Sequence, residues 1–366
     1  MKNKPLWLKW MFCLIPITIA TLMYFLLPFF PTFTEYVFSR GIFRIIGFPL
    51  QCIMSALPFS FTELMVVLSV PLLLILLVIF IIKIIKAKMK LKIFEKGMRF
   101  IAWCVSLALL LYMITHGANY YRLPVSELMS LPDREYTAED LYIITCDIAD
   151  KASKVREGLP EDENGCVKFS VSQDEILRLA GNSYDNISKE YPFLKTAVWR
   201  VKSVALSHYW SYTATTGVYC PWTSESNVNT DVPRYSIPHT ASHEIAHTMG
   251  IAREDECNFL AWLACSTSSI ADFEYSGQLA AFTYCSNTLY KADKELWQKA
   301  YSHCSEGMRR DLINENEYWD SFKGEVMEAS QDFNDSFIKA NRVESGILSY
   351  DLMVELLLRY YDTQII

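Results

Sequence analysis

Pro238-His239-Thr240-Ala241-Ser242-His243-Glu244-Ile245-Ala246-His247-Thr248-Met249-Gly250 is the stretch from which the rest of the chain is read. Proline suits a first helical turn, whose N–H groups lack partners in any case, and a glycine past the last periodic residue stops a helix. Within that helix His243 and His247 stand four residues apart, on one face, where two imidazoles can chelate one ion. Glu244 falls beside such an ion without binding it. There a carboxylate can take a proton from a water whose pKa the metal has lowered to about 7. The spacing predicts one Zn²⁺ held by His243 and His247, with Glu244 as general base. The rival reading is two histidines hydrogen-bonded in a helix interface with no metal.

The third ligand has to come from elsewhere. His247-Thr248-Met249-Gly250 begins an H-x-x-G-x-x-H extension, but the next ligand position is Arg253, which stays protonated and cannot bind zinc. The expectation passes to Glu254-Asp255-Glu256-Cys257-Asn258. Glu254 and Glu256 are two apart and point to different sides of a helix, so only one can face the ion. Glu254 is favoured and Glu256 is the alternative. Asn258 follows in the register of a residue that supports a ligand from the outer shell. The unused acid would simply favour the helix N-terminus.

Upstream, apolar residues among small polar ones between Thr196 and Trp222 suit short strands. Gly217 to Trp222 is expected to be an edge strand that pairs with an extended substrate. Gly217, Val218 and Tyr219 lie along it, with Glu225 and Asn227 near its end, and these five are the candidate substrate-binding residues. An ordinary hairpin is the alternative. A histidine or tyrosine donor usually stabilises the transition state in such a site; His208, His239, His303 and many tyrosines are present, and the sequence does not choose among them.

The first third of the chain is of another kind. Residues 1–118 carry 12 Lys/Arg against 3 Asp/Glu, and the remainder 22 against 38. Such asymmetry points to two environments, and an acidic second part excludes a nucleic-acid footprint. A helical bilayer crossing takes about 20 apolar residues, and runs at about 10–30, 64–82 and 99–116 meet that length. The first run is too long for a signal peptide and lacks a small-x-small cleavage site. Lys83, Lys86, Lys88, Lys90, Lys92, Lys96 and Arg99 crowd the connection between the second and third runs. By the positive-inside rule that connection and the N-terminus are cytoplasmic, and residues 118–366 are extracytoplasmic. The apolar segment from Pro31 to Phe61, interrupted by Arg40, Arg44 and prolines, is read as an interfacial or re-entrant piece, because a fourth span would reverse that topology.

The expected organisation is a three-helix membrane anchor over 1–117 and a mainly helical α+β domain over 118–366. Thr137 to Asp140 resembles a capping box opening a helix to about Glu157, and Ser172 with Glu175 opens another to about Ser188. Further helices are expected near 238–249, 254–267, 275–290, 294–314, 318–341 and 347–361. Seven of the ten cysteines lie after residue 118, an odd number with no framework spacing, and no essential disulfide is expected.

Asn119-Tyr120-Tyr121-Arg122, the Gly217 to Asn229 stretch, His243 through Ala261, and Gly346-Ile347-Leu348-Ser349-Tyr350 resemble a family of bacterial membrane proteins that carries a domain-of-unknown-function label. The resemblance covers essentially the whole chain. It implies three spans, an outer zincin-like domain and a metal site, and it implies no substrate. Ser224 to Asn227 and Cys257 depart slightly from the small residues of that pattern and lie off the presumed ligands. The His243 to His247 motif with its downstream acidic run also resembles gluzincin peptidases, which implies a glutamate as third ligand. The function expected is therefore hydrolysis of a peptide or protein segment near the membrane. Two alternatives stand beside it: a non-catalytic, zinc-stabilised membrane receptor or sensor, and a structural membrane protein whose motif is accidental.

Overall fold

The computed structural model describes residues 5–341 and 352–365. Gly346 to Tyr350, part of the family resemblance, lies outside the described residues. Among the described residues, four helices are long and apolar enough to cross a membrane: Leu6–Phe29, Pro31–Ala56, Phe61–Lys86 and Lys90–Thr115. Three of them coincide with the expected spans. The first packs along the last, while Phe61–Lys86 exposes apolar side chains almost throughout its length.

The additional helix, Pro31–Ala56, behaves differently from its neighbours. It contains a π-helical stretch over Thr34–Ile42 and carries Pro49, and it buries polar side chains beside Phe38 and Phe43. Glu35, Ser39, Gln51 and Ser55 are all nearly inaccessible. Glu35 accepts from Arg122, and Ser39 Oγ donates to Asn119 Oδ1 at 2.7 Å. Arg44 Nη2 donates to the Phe193 carbonyl at 2.6 Å. Gln51 bridges the Thr248 carbonyl at 2.8 Å and the Ala197 N–H at 2.8 Å, and the Ser55 hydroxyl accepts from the Trp199 N–H. Glu35 and Ser55 are about 30 Å apart at 1.5 Å per helical residue. The helix therefore lies against the chain after residue 118 over nearly its whole length.

The next helix is fastened just as firmly at its start. Ser60 caps Phe61–Lys86 by accepting from the Glu63 N–H. The Phe61 and Thr62 N–H groups donate to the two Glu225 carboxylate oxygens at 3.1 and 2.7 Å. A carboxylate at a helix N-terminus satisfies orphan donors and complements the positive end of the helix dipole. Glu63 in turn accepts from the Ala205 and Leu206 N–H groups. At the other end of the preceding helix, Lys202 Nζ donates to the Ser55 and Leu57 carbonyls.

The remaining chain is mainly helical with a small sheet. Thr137 and Asp140 form the expected capping box on Ala138–Glu157. The helix that Ser172 caps is shorter than expected, Gln173–Leu179, and turns through a 3-10 segment at Ala180–Asn182. There Gly181 lies so close to Trp199 that a Cβ would stand 2.6 Å from its backbone carbon. The expected 294–314 helix is two, Lys294–Ser302 and Glu306–Asp320, because Ser305 accepts from the Met308 N–H and starts a new helix. The expected 318–341 helix begins at Glu325, and the last helix, Leu352–Ile365, lies within the expected range at its start.

Strands β1 (Lys202–Ser203), β2 (Gly217–Cys220) and β3 (Glu225–Val228) form one sheet in the order β1-β3-β2. β1 runs parallel to β3, while β2 and β3 make an antiparallel hairpin with Val218 opposite Asn227. β2 is thus an edge strand. The region expected as strands also holds a short helix, Ser207–Ser211. All ten cysteines are free.

Two cores result. The larger, with Ile245, Met249, Phe259, Phe273 and Phe282, surrounds the motif helix. The smaller joins Ala20, Phe38, Phe43, Met113, Ala118, Tyr120, Tyr121 and Ala252, so it draws on the first and last spans, on Pro31–Ala56 and on the turn after the motif. Arg122 and Glu35 are its charged neighbours, 1% and 0% exposed in their side chains. Removing one member of a buried pair leaves an uncompensated charge. Glu35→Ala is expected to lower the stability of the full-length protein in detergent by about 3–5 kcal/mol, measured by denaturant or thermal unfolding; unchanged unfolding would show that the pair holds nothing in place.

Candidate metal centre

The motif forms a three-turn helix, Ile237–Thr248, with Pro238 in its first turn. Gly250 has φ +80°, the left-handed conformation that ends a helix, and a Cβ there would lie 3.1 Å from Asn119 Oδ1. The Gly250 N–H donates to the His247 carbonyl at 3.0 Å. That turn reverses the chain into Glu254–Ser266, which presents Glu254 as its first residue.

The His243 and His247 rings lie 5.0 Å apart between centroids, 80° from coplanar. Glu254 closes the third side: His243 Nε2 is 3.0 Å from Oε2, and His247 Nε2 is 3.6 Å from Oε1. Glu256 points elsewhere. Its Oε1 accepts from the Val125 N–H and from Arg253 Nη1, both at 2.9 Å. Of the two acids the sequence offered, the fold brings Glu254 to the histidines.

Each imidazole is oriented from behind. His243 Nδ1 lies 2.8 Å from Asn258 Oδ1, and His247 Nδ1 lies 2.9 Å from the Ile251 carbonyl oxygen. Both partners are acceptors, so each Nδ1 carries a proton and each Nε2 is turned toward Glu254. Burial opposes charge on the His243 ring, but Glu254 outweighs it and raises this imidazole to about 9, so its Nε2 also carries a proton while it faces the carboxylate. Asn258 thus stands where the sequence put it. Cys257 also comes within range of the pair, so that His243, His247 and Cys257 form a possible three-donor cluster. Its sulfur, however, is 3.4 Å from His247 Nδ1 and 3.5 Å from the Ile251 carbonyl oxygen. That is the opposite edge of the ring from Glu254, and Nδ1 is already engaged. Burial, with the charges of Glu254, Glu256 and Glu244, pushes its thiol well above the usual range, which disfavours a thiolate ligand.

Glu244 sits between the motif helix and β2. A Cβ on Gly217 would stand 2.4 Å from Glu244 Oε1, so only glycine lets the strand pass the carboxylate. Glu244 Oε2 is buried with no hydrogen-bond partner among the described residues. Burial first, then the charge of Glu254, raises this carboxyl to about 8, against the pull of His243 and the Tyr219 N–H. Burial also opposes ionisation of Glu254, but His247 and His243 outweigh it and hold that carboxyl down at about 2. The two acids of the site are driven in opposite directions, the pattern that separates a proton carrier from a charged ligand.

Gly217, Val218 and Tyr219 lie on β2 beside the motif helix, and the Tyr219 ring stacks on His247 at 5.8 Å. Glu225 and Asn227 belong to the middle strand, and both are buried. Asn227 Oδ1 accepts from Ser60 Oγ at 2.6 Å, and the Glu225 carboxylate holds the start of Phe61–Lys86. Their side chains are committed to fastening a membrane-flanking helix and are not free for a substrate.

None of the three histidines weighed as donors lines this space. His208 is an exposed partner of Asp231, His303 pairs with Asp150, and His239, on the motif helix one turn before His243, has its Nε2 3.3 Å from the Asn258 carbonyl oxygen. The histidine that does line it is His116, the residue that ends Lys90–Thr115. Its ring is 5.7 Å from that of His247 and 5.7 Å from that of Tyr219. Sequence reasoning passed over it; the available signal was a lone imidazole directly after the last apolar run.

Gly217→Ala is expected to destabilise the protein by about 1–3 kcal/mol, because the methyl group forces Glu244 out of its slot. In a Glu244→Ala background the same change should cost much less, and a double-mutant cycle in denaturant reads the difference. Additive losses would show that the strand and the carboxylate do not press on each other.

Comparison with known proteins adds the family. No curated protein and no solved structure matches the chain. The family profile described as "Protein of unknown function (DUF3810)" matches residues 38–358, a span that takes in the whole site and most of the membrane-flanking helices, and the chain belongs to that family.

Proposed function

We propose that this chain is a membrane-anchored zinc metallopeptidase of gluzincin-like, zincin-type architecture. The observation that carries the reading is the convergence of two Nε2 atoms, each with its Nδ1 satisfied, on the Glu254 carboxylate, beside a buried Glu244 whose Oε2 has no partner. Two imidazoles and one carboxylate are the donor set of catalytic zinc sites that leave a position open. His243, His247 and Glu254 would hold the ion, and Asn258 would fix the His243 ring. When bound, zinc acts as a Lewis acid toward a carbonyl and makes water acidic enough to attack near neutral pH.

The protein's own part is proton transfer and positioning. Glu244 Oε2 takes a proton from the attacking water as its oxygen bonds to the scissile carbonyl carbon. The same carboxyl returns that proton to the nitrogen as the C–N bond breaks. The unpaired edge of β2 offers main-chain groups to an extended peptide, with Gly217 keeping the strand close to Glu244.

The substrate we infer is a peptide or protein segment near the bilayer. Trp222, at the tip of the β2–β3 hairpin, donates from Nε1 to the Ala108 carbonyl within the last apolar helix at 3.4 Å. The edge strand therefore runs from Glu244 toward the membrane-embedded part. The basic connection between Lys83 and Arg99 supports a cytoplasmic N-terminus and an extracytoplasmic domain. Contacts along the length of Pro31–Ala56 support reading that helix as interfacial, which preserves three crossings.

Full-length protein in detergent is expected to carry about one zinc per chain, as the three-ligand site requires, and His243→Ala to lose it. Glu244→Gln should keep the metal and lose about 10²–10⁴-fold in peptide hydrolysis. Chelation should abolish turnover and added zinc restore it. Metal retained with full activity in Glu244→Gln would reject the peptidase and favour a zinc-stabilised receptor, and a zinc-free protein would reject both.

A further inference from the structure

We infer that the last membrane helix supplies a catalytic residue: His116, at its exit, donates a hydrogen bond to the carbonyl oxygen of the bond under attack. The inference rests on the peptidase reading and adds a residue that the motif does not contain.

His116 closes Lys90–Thr115 with φ −154° and ψ −59°, after which the chain turns through the 3-10 segment Gly117–Tyr121. The turn is fixed by the Asn119 N–H, which donates to the His116 carbonyl at 2.9 Å. The side chain is only 7% exposed, yet its ring makes no hydrogen bond among the described residues. Aromatic rings wedge it instead: Tyr112 at 5.8 Å, Tyr120 edge-on at 5.4 Å and Tyr219 at 5.7 Å. The His247 ring lies edge-on to it at 5.7 Å.

A buried imidazole normally finds a partner for each nitrogen. Here the ring is packed into one orientation by three tyrosines and left unbonded, next to the metal-binding pair and to Glu254. Glu244 Oε2 is a second unpartnered polar atom in the same centre. One is an acceptor, the other carries an N–H donor in its neutral form. These are the two groups amide hydrolysis requires beyond the metal: a proton acceptor for the water, and a donor for the oxygen on which negative charge develops.

The origin of His116 gives the arrangement its second property. The donor comes from a helix read as crossing the membrane, while the ligands come from the extramembrane part. The centre is therefore complete only while the span is docked through Met113, Ala118, Tyr120 and Tyr121.

The test uses full-length protein in detergent with wild type, Glu244→Gln, His116→Phe and His116→Gln side by side. Five quantities are read: zinc content, melting temperature, kcat and KM on a peptide substrate, and affinity for a peptidyl phosphinate. The phosphinate reports the oxygen contact without turnover. His116→Phe is expected to keep zinc and melting temperature, to lower kcat by about 10²–10³-fold with little change in KM, and to weaken phosphinate binding similarly. His116→Gln, which retains an N–H, should recover part of both. Loss of zinc in His116→Phe would make the residue a ligand and overturn the donor role, as would unchanged kcat and phosphinate affinity. Equal damage from Phe and Gln with a lowered melting temperature would reduce His116 to packing. A wild type with neither zinc nor turnover would defeat the parent reading, and this inference with it.

Discussion

Arg122 sits where three pieces of chain meet, and its planar fork is used on both sides. Nε and Nη2 donate to the two oxygens of Glu35 at 2.7 and 2.9 Å, while Nη1 donates to the Gly250 carbonyl at 2.9 Å and to that of Met249. The guanidinium thus caps the negative end of the motif helix and binds it to the helix that precedes the second span. Only a fork of rigid donors does both at once. Because the pair is buried, neither charge is stable alone, so the position of the motif helix depends on the membrane-flanking chain. The turn at Gly250, which delivers Glu254 to the histidines, lies directly under that clamp.

The centre is defined as much by what is satisfied as by what is not. Both Nδ1 atoms are used, and Oε1 of Glu256 is turned away to Val125 and Arg253. Left over are two Nε2 atoms facing one carboxylate, the outer oxygen of Glu244, and the ring of His116. In a protein interior unpartnered polar groups are costly, and two imidazoles sharing one carboxylate beside two groups with no hydrogen-bond partner among the described residues mark where a ligand belongs.

The sequence showed the motif helix because its information is local: i,i+4 spacing, a proline at the start and a glycine at the end. It showed the edge strand and most helix starts for the same reason, through Thr137, Ser172 and the Gly217 stretch. It left Glu254 and Glu256 open because the answer depends on how the Gly250 turn aims the next helix. Glu225 and Asn227 were misplaced because their partners, Ser60 to Thr62, lie more than 160 residues away. His116 was invisible for that reason too. Pro31–Ala56 was legible only as apolar with interruptions: its polar side faces protein and its apolar side faces outward, an amphipathic helix turned inside out relative to those of a soluble domain.

The small core that joins Ala20, Phe43, Met113, Tyr121 and Ala252 has a consequence for how the chain matures and ends. Its members are drawn from Leu6–Phe29, from Pro31–Ala56, from Lys90–Thr115 with the turn after it, and from the residue two positions past the motif helix's glycine. The turn after the motif helix therefore completes its packing only when Ala20 to Tyr121 are in place. A chain cut near Tyr121 would keep Arg122 but lose Glu35, and the guanidinium that caps the motif helix would be left as an unpaired buried charge.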